Sequence, residues 1–443
     1  MRTLTSFVAL LLAAAIAGKA QTAAPAAPAP GPIPGRPSAA VAPGRPAAAV
    51  ALVRLPVELP DNPAAGARLF AEKRCVQCHA LGETERRVGP DLGRIVFPGT
   101  VLDLAGSFWN HGAAMREKMH DLKVPVPVLE SRQMADLLAF LTAYRYYLAQ
   151  VGEPGSPARG RQLFNAKDCD VCHGTPADFK KAGPSLEKYR GNFSAIYIAQ
   201  SMWNHGDKMA EVMQSKGITW PQFQGNEMGD LLAYLQTGNS ANSADRVYYE
   251  PGSPRRGADL FTSKRCRDCH AIGGVGGNVG PDLGARGREF MGPIASIAGL
   301  MWNHSHKMTA EFQRRGIPRV NFSGQEMADI IAYLYFVNYA TVYAAPDRGS
   351  KIFTDKCSGC HTVGGGRRTG PDLAAVPNLD DPTAIIAAMW NHAEGMEDKL
   401  RRRGTIWPQF APGDVADLSA FLLISRGWVP PPASRSTQAT PGK

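Results

Sequence analysis

The chain has 443 residues, a formal charge of +10 and a mean hydropathy of −0.21. Its longest apolar run near the start, Phe7 to Ala17, has 11 residues against the ~20 needed to cross a bilayer. No later segment is longer and as apolar, so a membrane-spanning protein is excluded and a soluble mature chain is expected.

Taken from the start, Arg2 supplies a positive charge, the apolar run follows, and Ala17-Gly18-Lys19-Ala20 offers small residues for cleavage. Residues 1–20 therefore have the build of a secretory signal peptide, and the mature protein is expected to be periplasmic or otherwise exported. No cysteine follows the cleavage site, which argues against a lipid anchor there. Residues 21–57 open with a stretch of mostly Ala, Pro and Gly. That composition cannot bury a core and describes an extended linker. The tail 429–443, rich in Pro and Ser, is expected to be disordered.

Between these ends a Cys-x-x-Cys-His pentad recurs four times: Cys75, Cys78 and His79; Cys169, Cys172 and His173; Cys266, Cys269 and His270; Cys357, Cys360 and His361. The pentads use all eight cysteines. Two thiols three residues apart can add to the two vinyl groups of one porphyrin, and the histidine that follows can bind its iron. A single copy would leave a thioredoxin-like pair or half a zinc site open. Four copies, each with its histidine and no cysteine left over, point to four covalent haem c groups.

The pentads anchor a repeat whose first cysteines lie 94, 97 and 91 residues apart. Ahead of each stands a glycine four residues before an aromatic: Gly66/Phe70, Gly160/Phe164, Gly257/Phe261 and Gly349/Phe353. After each comes Gly-Pro-x-Leu, starting at Gly89, Gly183, Gly280 and Gly370. Next comes Trp-Asn-His-x-x-x-Met, starting at Trp109, Trp203, Trp302 and Trp390. An apolar helix closes each repeat: Met134–Tyr147, Met228–Leu235, Met327–Tyr339 and Val415–Leu423. Runs such as Glu153-Pro154-Gly155 and Glu250-Pro251-Gly252 punctuate the boundaries. Repeats of this length are small domains, expected at 58–150, 151–250, 251–345 and 346–428. With short linkers, they are expected to be separable and strung in a row, each folding around its haem.

These landmarks resemble class I cytochrome c over most of the mature chain. The resemblance implies an all-α fold of four tandem domains, each a small helical bundle around its haem. It implies that first and last helices cross at the glycine, with the aromatic pairs Phe70 and Phe140, Phe164 and Tyr234, Phe261 and Tyr333, and Phe353 and Phe421. It also implies that the carbonyls of Pro90, Pro184, Pro281 and Pro371 accept the hydrogen bond of the iron-binding histidines.

One departure stands out. Where the family presents its second iron ligand, often as Met-Pro, this chain has Val126-Pro127, Trp220-Pro221, Arg319-Val320 and Trp407-Pro408. Two other candidates recur in every repeat. Met115, Met209, Met308 and Met396 are preferred, because the apolar class I pocket suits a thioether. His111, His205, His304 and His392 are the alternative, and the i, i+4 spacing puts both candidates on one helix face. The motif tryptophans are expected to pack on the haem or line its edge.

The resulting expectation is a carrier, not an enzyme, shuttling single electrons between redox protein partners outside the cytoplasm. Arginine clusters such as Arg401-Arg402-Arg403 suit an acidic partner. Nucleic acid is not an expected partner, since no aromatic platform interleaves the basic residues. The alternatives are a peroxidase-like or small-molecule-oxidising haem enzyme with one open iron, and a cytochrome subunit of a larger, membrane-bound dehydrogenase or photosynthetic complex.

Overall fold

A computed structural model describes residues 52–430, apart from 56–58, 60–61, 83–86, 94, 96–98, 149–154, 175–180, 187–193, 238–250, 285–292, 341 and 378–380. The signal peptide, most of the linker and the tail from 431 onward lie outside the described residues.

The protein is mostly helical, and each repeat builds three main helices. Repeat 1 contributes α1 (Pro63–Glu72), α2 (Val101–Asp121) and α3 (Ser131–Leu148). Repeat 2 contributes α4 (Pro157–Ala166), the single turn α5 (Cys169–Cys172), α6 (Ala195–Ser215) and α7 (Glu227–Gln236). Repeat 3 has α8 (Pro254–Ser263), α9 (Ile294–Arg314) and α10 (Gly324–Ala340). Repeat 4 has α11 (Pro346–Lys356), α12 (Pro382–Arg402) and α13 (Asp414–Ser425).

The short first helices start on proline, whose fixed φ suits the first helical position and whose missing N–H is not needed there. Asn62, Ser156 and Ser253 cap three of them by accepting from the third helical N–H. Each first helix crosses the last helix of its own repeat at the glycine. A Cβ at Gly66, Gly160, Gly257 or Gly349 would sit 1.9, 2.0, 2.1 or 2.0 Å from the carbonyl oxygen of Asp136, Asp230, Asp329 or Asp417. Only glycine permits that approach. Beside it lie the four aromatic pairs, with ring centroids 5.6–5.7 Å apart.

In repeats 2 to 4 the aspartate at this crossing also closes the start of the first helix. Asp230 and Asp329 accept from the Ser156 and Ser253 N–H groups at 2.6 and 2.8 Å, and from Arg159 and Arg256 at 3.0 and 2.9 Å. Burial alone would raise the Asp230 carboxyl. The hydrogen bonds from Arg159 and Ser156 outweigh it and hold the carboxyl below its ordinary range.

The expectation of separable domains in a row needs revision. The long helices that carry Trp-Asn-His pack between repeats that are not all neighbours in sequence: α2 on α12, and α6 on α9. The last helices follow, with α3 against α12, α13 against α2, α7 against α9, and α10 against α6. Repeat 1 therefore shares an apolar core with repeat 4, which includes Phe70, Trp109, Leu138, Phe353, Trp390 and Phe410. Repeat 2 shares another with repeat 3, which includes Phe164, Trp203, Phe223, Phe261, Trp302 and Phe322. The physical reason is the apolar side of the long helices, where Trp109, Trp203, Trp302 and Trp390 would stand exposed in a single repeat and are buried by the paired one.

Two-residue strands tie the pairs together. β1 (Val53–Arg54) runs antiparallel to β4 (Tyr343–Ala344), and the Leu55 N–H donates to Val342 O at 2.9 Å. Arg54 reaches on to the carbonyls of Ile272 and Gly273 in repeat 3, at 3.3 and 3.1 Å. Those carbonyls lie on the tight hairpin of β2 (Ala271–Ile272) and β3 (Val275–Gly276).

The long helices end alike, in a left-handed residue that lets two further N–H groups bond back to the last turn. That residue is Gly217, Gly316 or Gly404 in repeats 2 to 4, but Lys123, at φ 54°, in repeat 1. Because a side chain disfavours this conformation, Lys123→Gly is expected to stabilise the protein by about 0.5–1 kcal/mol, measured by denaturant unfolding. A loss of stability would show that the lysine side chain makes a compensating contact.

Candidate functional site

Each pentad forms one tight turn directly after the first helix. The histidine N–H bonds to the first cysteine's carbonyl at 2.9, 2.8, 2.9 and 2.9 Å in repeats 1 to 4. Arg74, Asp168 and Arg265, just before the turn in repeats 1 to 3, have φ of 62, 57 and 64° and swing the turn off the helix end. No disulfide joins the eight cysteines, and all are half-buried. The first of each pair packs on the apolar core, and burial pushes the thiols of Cys75, Cys169, Cys266 and Cys357 up to about 11, 12, 11 and 11.

The Gly-Pro loop then folds over the histidine. Gly89, Gly183, Gly280 and Gly370 donate their N–H to the second cysteine's carbonyl at 2.8, 3.0, 2.8 and 2.7 Å. A Cβ on any of them would lie 2.3–2.7 Å from the imidazole Cε1, so glycine is what lets the loop lie flat on the ring. Nδ1 of His79, His173, His270 and His361 sits 3.0 Å from the carbonyl oxygen of Pro90, Pro184, Pro281 and Pro371, in all four repeats. That bond holds the proton on Nδ1 and leaves Nε2 as a metal-binding lone pair. Two thiols on one turn beside an oriented imidazole fit covalent haem c.

Further supports carried only a faint sequence signal. Arg87, Lys181 and Arg368, each two residues before a Gly-Pro, donate to carbonyls inside the pentads, of Val76, Asp170 and Ser358. All three therefore brace the turn. Asp282 and Asp372, the variable residue of Gly-Pro-x-Leu, accept from loop N–H groups of Gly273 and Gly274 and of Gly364 and Gly365.

The candidate distal ligands lie along one face of each long helix. Met115, Met209, Met308 and Met396 are half-buried on the apolar cores that the first cysteines also touch. His111, His205, His304 and His392 are exposed, and their Nδ1 atoms bond to the carbonyl one turn earlier, at 2.7, 2.8, 2.8 and 2.8 Å.

The tryptophans are a correction to the sequence reading. They face away from the His/Met side and dock the paired repeat. Trp109 and Trp390 donate to Pro408 O and Pro127 O at 2.7 Å, and Trp203 and Trp302 to Val320 O and Pro221 O at 2.8 Å. The adjacent asparagine grips the next residues of the same loop with both ends of its amide. Asn303 donates to Phe223 O at 2.7 Å and accepts from Phe223 N at 2.8 Å, and Asn110, Asn204 and Asn391 do the same to Phe410, Phe322 and Leu129. The loop that holds the second iron ligand in the family serves here as the docking site for the partner's Trp-Asn.

Comparison with known proteins agrees with this geometry. The cytochrome c family model matches residues 254–336 and 346–425. No solved structure matches the chain. A cytochrome c-553-like protein of Synechocystis sp. is 34% identical over 103 residues, which are 23% of this chain and 87% of that relative. On that similarity and on the pentad geometry, the chain belongs to the cytochrome c family, whose haem c serves electron transfer.

Proposed function

We propose that the protein is an exported four-haem carrier that passes single electrons between redox proteins. One observation carries this reading: the same contact recurs at all four pentads, the Nδ1–proline bond at 3.0 Å each time. Bound there, haem c supplies the one-electron ferric–ferrous couple. Cys75 and Cys78, Cys169 and Cys172, Cys266 and Cys269, and Cys357 and Cys360 would hold the four groups. Nε2 of His79, His173, His270 and His361 would bind iron from one side.

Met115, Met209, Met308 and Met396 are the distal ligands we favour. Their half-buried position on the core suits an apolar pocket, whereas the motif histidines lie outside it. The uniformity of the repeats favours a carrier over an enzyme with one open iron. Among the described residues no helix is long and apolar enough to cross a membrane, and the proposal of export rests on residues 1–20.

The test has two parts. Denatured protein should retain four haems per chain; a count of two would limit the function to the repeats that the family model matches. Near-infrared magnetic circular dichroism should show methionine–iron charge-transfer bands. Met209→Ala should remove one such band, open one iron to carbon monoxide and lower one potential, whereas His205→Ala should keep the band. Loss of the ligand in His205→Ala alone would transfer the role to histidine. Strong carbon monoxide binding by the unaltered protein would favour the enzyme.

A further inference from the structure

The Trp-Asn contacts are the same in all four repeats. Each long helix offers one indole donor, one amide gripping a backbone, and a small buried residue at the crossing: Gly112, Gly206, Ser305 or Ala393. Alone, these contacts would let any repeat dock on any other, including its own counterpart in a second copy of the chain. What differs is the charge set among them.

Five residues after the motif histidine stand Arg116, Ala210, Thr309 and Glu397. In the 1–4 pair the two charged residues meet across the crossing. The Arg116 side chain is only 3% exposed, and its Nη2 donates to Glu397 Oε2 at 2.7 Å. Its guanidinium lies 6.0 and 5.4 Å from the Trp390 and Trp407 rings. In the 2–3 pair that position is uncharged. There Arg319, from the docking loop, lies 4.6 Å from the Trp203 ring and donates to Asp207 and to Trp203 O, both at 2.7 Å.

We propose that the Trp-Asn face is a docking surface for a repeat of the same build, and that the Arg116–Glu397 pair gives it polarity, so that repeat 1 accepts repeat 4 and refuses a copy of itself. Two copies of repeat 1 would set one buried Arg116 against another, and two copies of repeat 4 would oppose Glu397 to Glu397. Repeat 3 would offer Thr309 and His306 in place of an acid. Repeat 2 would offer Asp207, which Arg319 already engages. A buried charge left without its counterpart, as Arg116 would be, is strongly disfavoured, while Glu397 keeps Arg401 of its own helix at 3.2 Å and the shared contacts contribute equally to right and wrong pairings. In one chain, the high effective concentration of repeats 1 and 4 keeps the docking internal.

The polarity can be read in full-length protein by complementation. Arg116→Glu alone and Glu397→Arg alone put like charges across the 1–4 pair. Each is expected to stay monomeric by light scattering, with faster amide exchange than the native protein in α2 and α12 and native exchange in α6 and α9. Mixed in equal amounts, the two variants present complementary faces to each other and should form a species of twice the mass. The double variant Arg116→Glu with Glu397→Arg should be a monomer with native exchange. If a single variant is not recovered folded, co-expression supplies its complement, and a 1:1 heterodimer is expected from the cells. A mixture or co-expression that yields only monomers, single variants with native exchange, or a double variant that stays loosened would each overturn the proposal.

Discussion

Trp302→Ala should cost about 3–5 kcal/mol and loosen two repeats at once. The indole is 5% exposed, stacks on Trp220 at 4.0 Å with planes 17° apart, and donates to Pro221 O at 2.8 Å. Truncation would leave a cavity where α6 crosses α9 and strip a carbonyl of its donor. Because the core is shared, hydrogen exchange should quicken in α6 and α7 as well as in α9 and α10, with α2 and α12 unaffected. Denaturant unfolding gives the size of the loss. Exchange that quickens only in repeat 3 would mean that the repeats are independent after all.

Gly257→Val should be more severe still and prevent repeat 3 from folding. The first carbon of the new side chain would fall 2.1 Å from Asp329 O and 2.6 Å from Tyr333 Cβ. Backbone cannot yield as a flexible side chain can, so α8 and α10 would have to move apart until those contacts reach van der Waals distance. A loss above ~4 kcal/mol follows, in the range reserved for disrupted cores. It should appear as poor recovery of folded protein and as rapid exchange in α8, α10 and, through the common core, α6. Near-native stability would show that the helices do not cross so closely.

Much of this architecture is legible in the residues themselves. The pentads announce their chemistry because two thiols and an imidazole on one turn are a local arrangement, needing no knowledge of the rest of the chain. The helix crossings came through the resemblance to class I cytochrome c, which implies that the glycine four residues before an aromatic marks a close approach with the aromatic packed beside it. Spacing also put His205 and Met209 on one face, and both ride on the single helix α6.

Tertiary structure decided what lies on the opposite face. Trp203 precedes His205 by two residues, about 200° around the helix, so it points away from the His/Met side. No local pattern shows that a loop 117 residues further on waits there. Likewise Arg116 looks like one more helical cation until Glu397, 281 residues away, is brought to 2.7 Å. The single-repeat pattern determined the pentad turns and each small bundle, because covalent spacing and helix periodicity act over a few turns. Which repeats share a core was decided by burial: the long helices carry an apolar side beyond their own bundle, and only the folded chain shows which neighbour covers it.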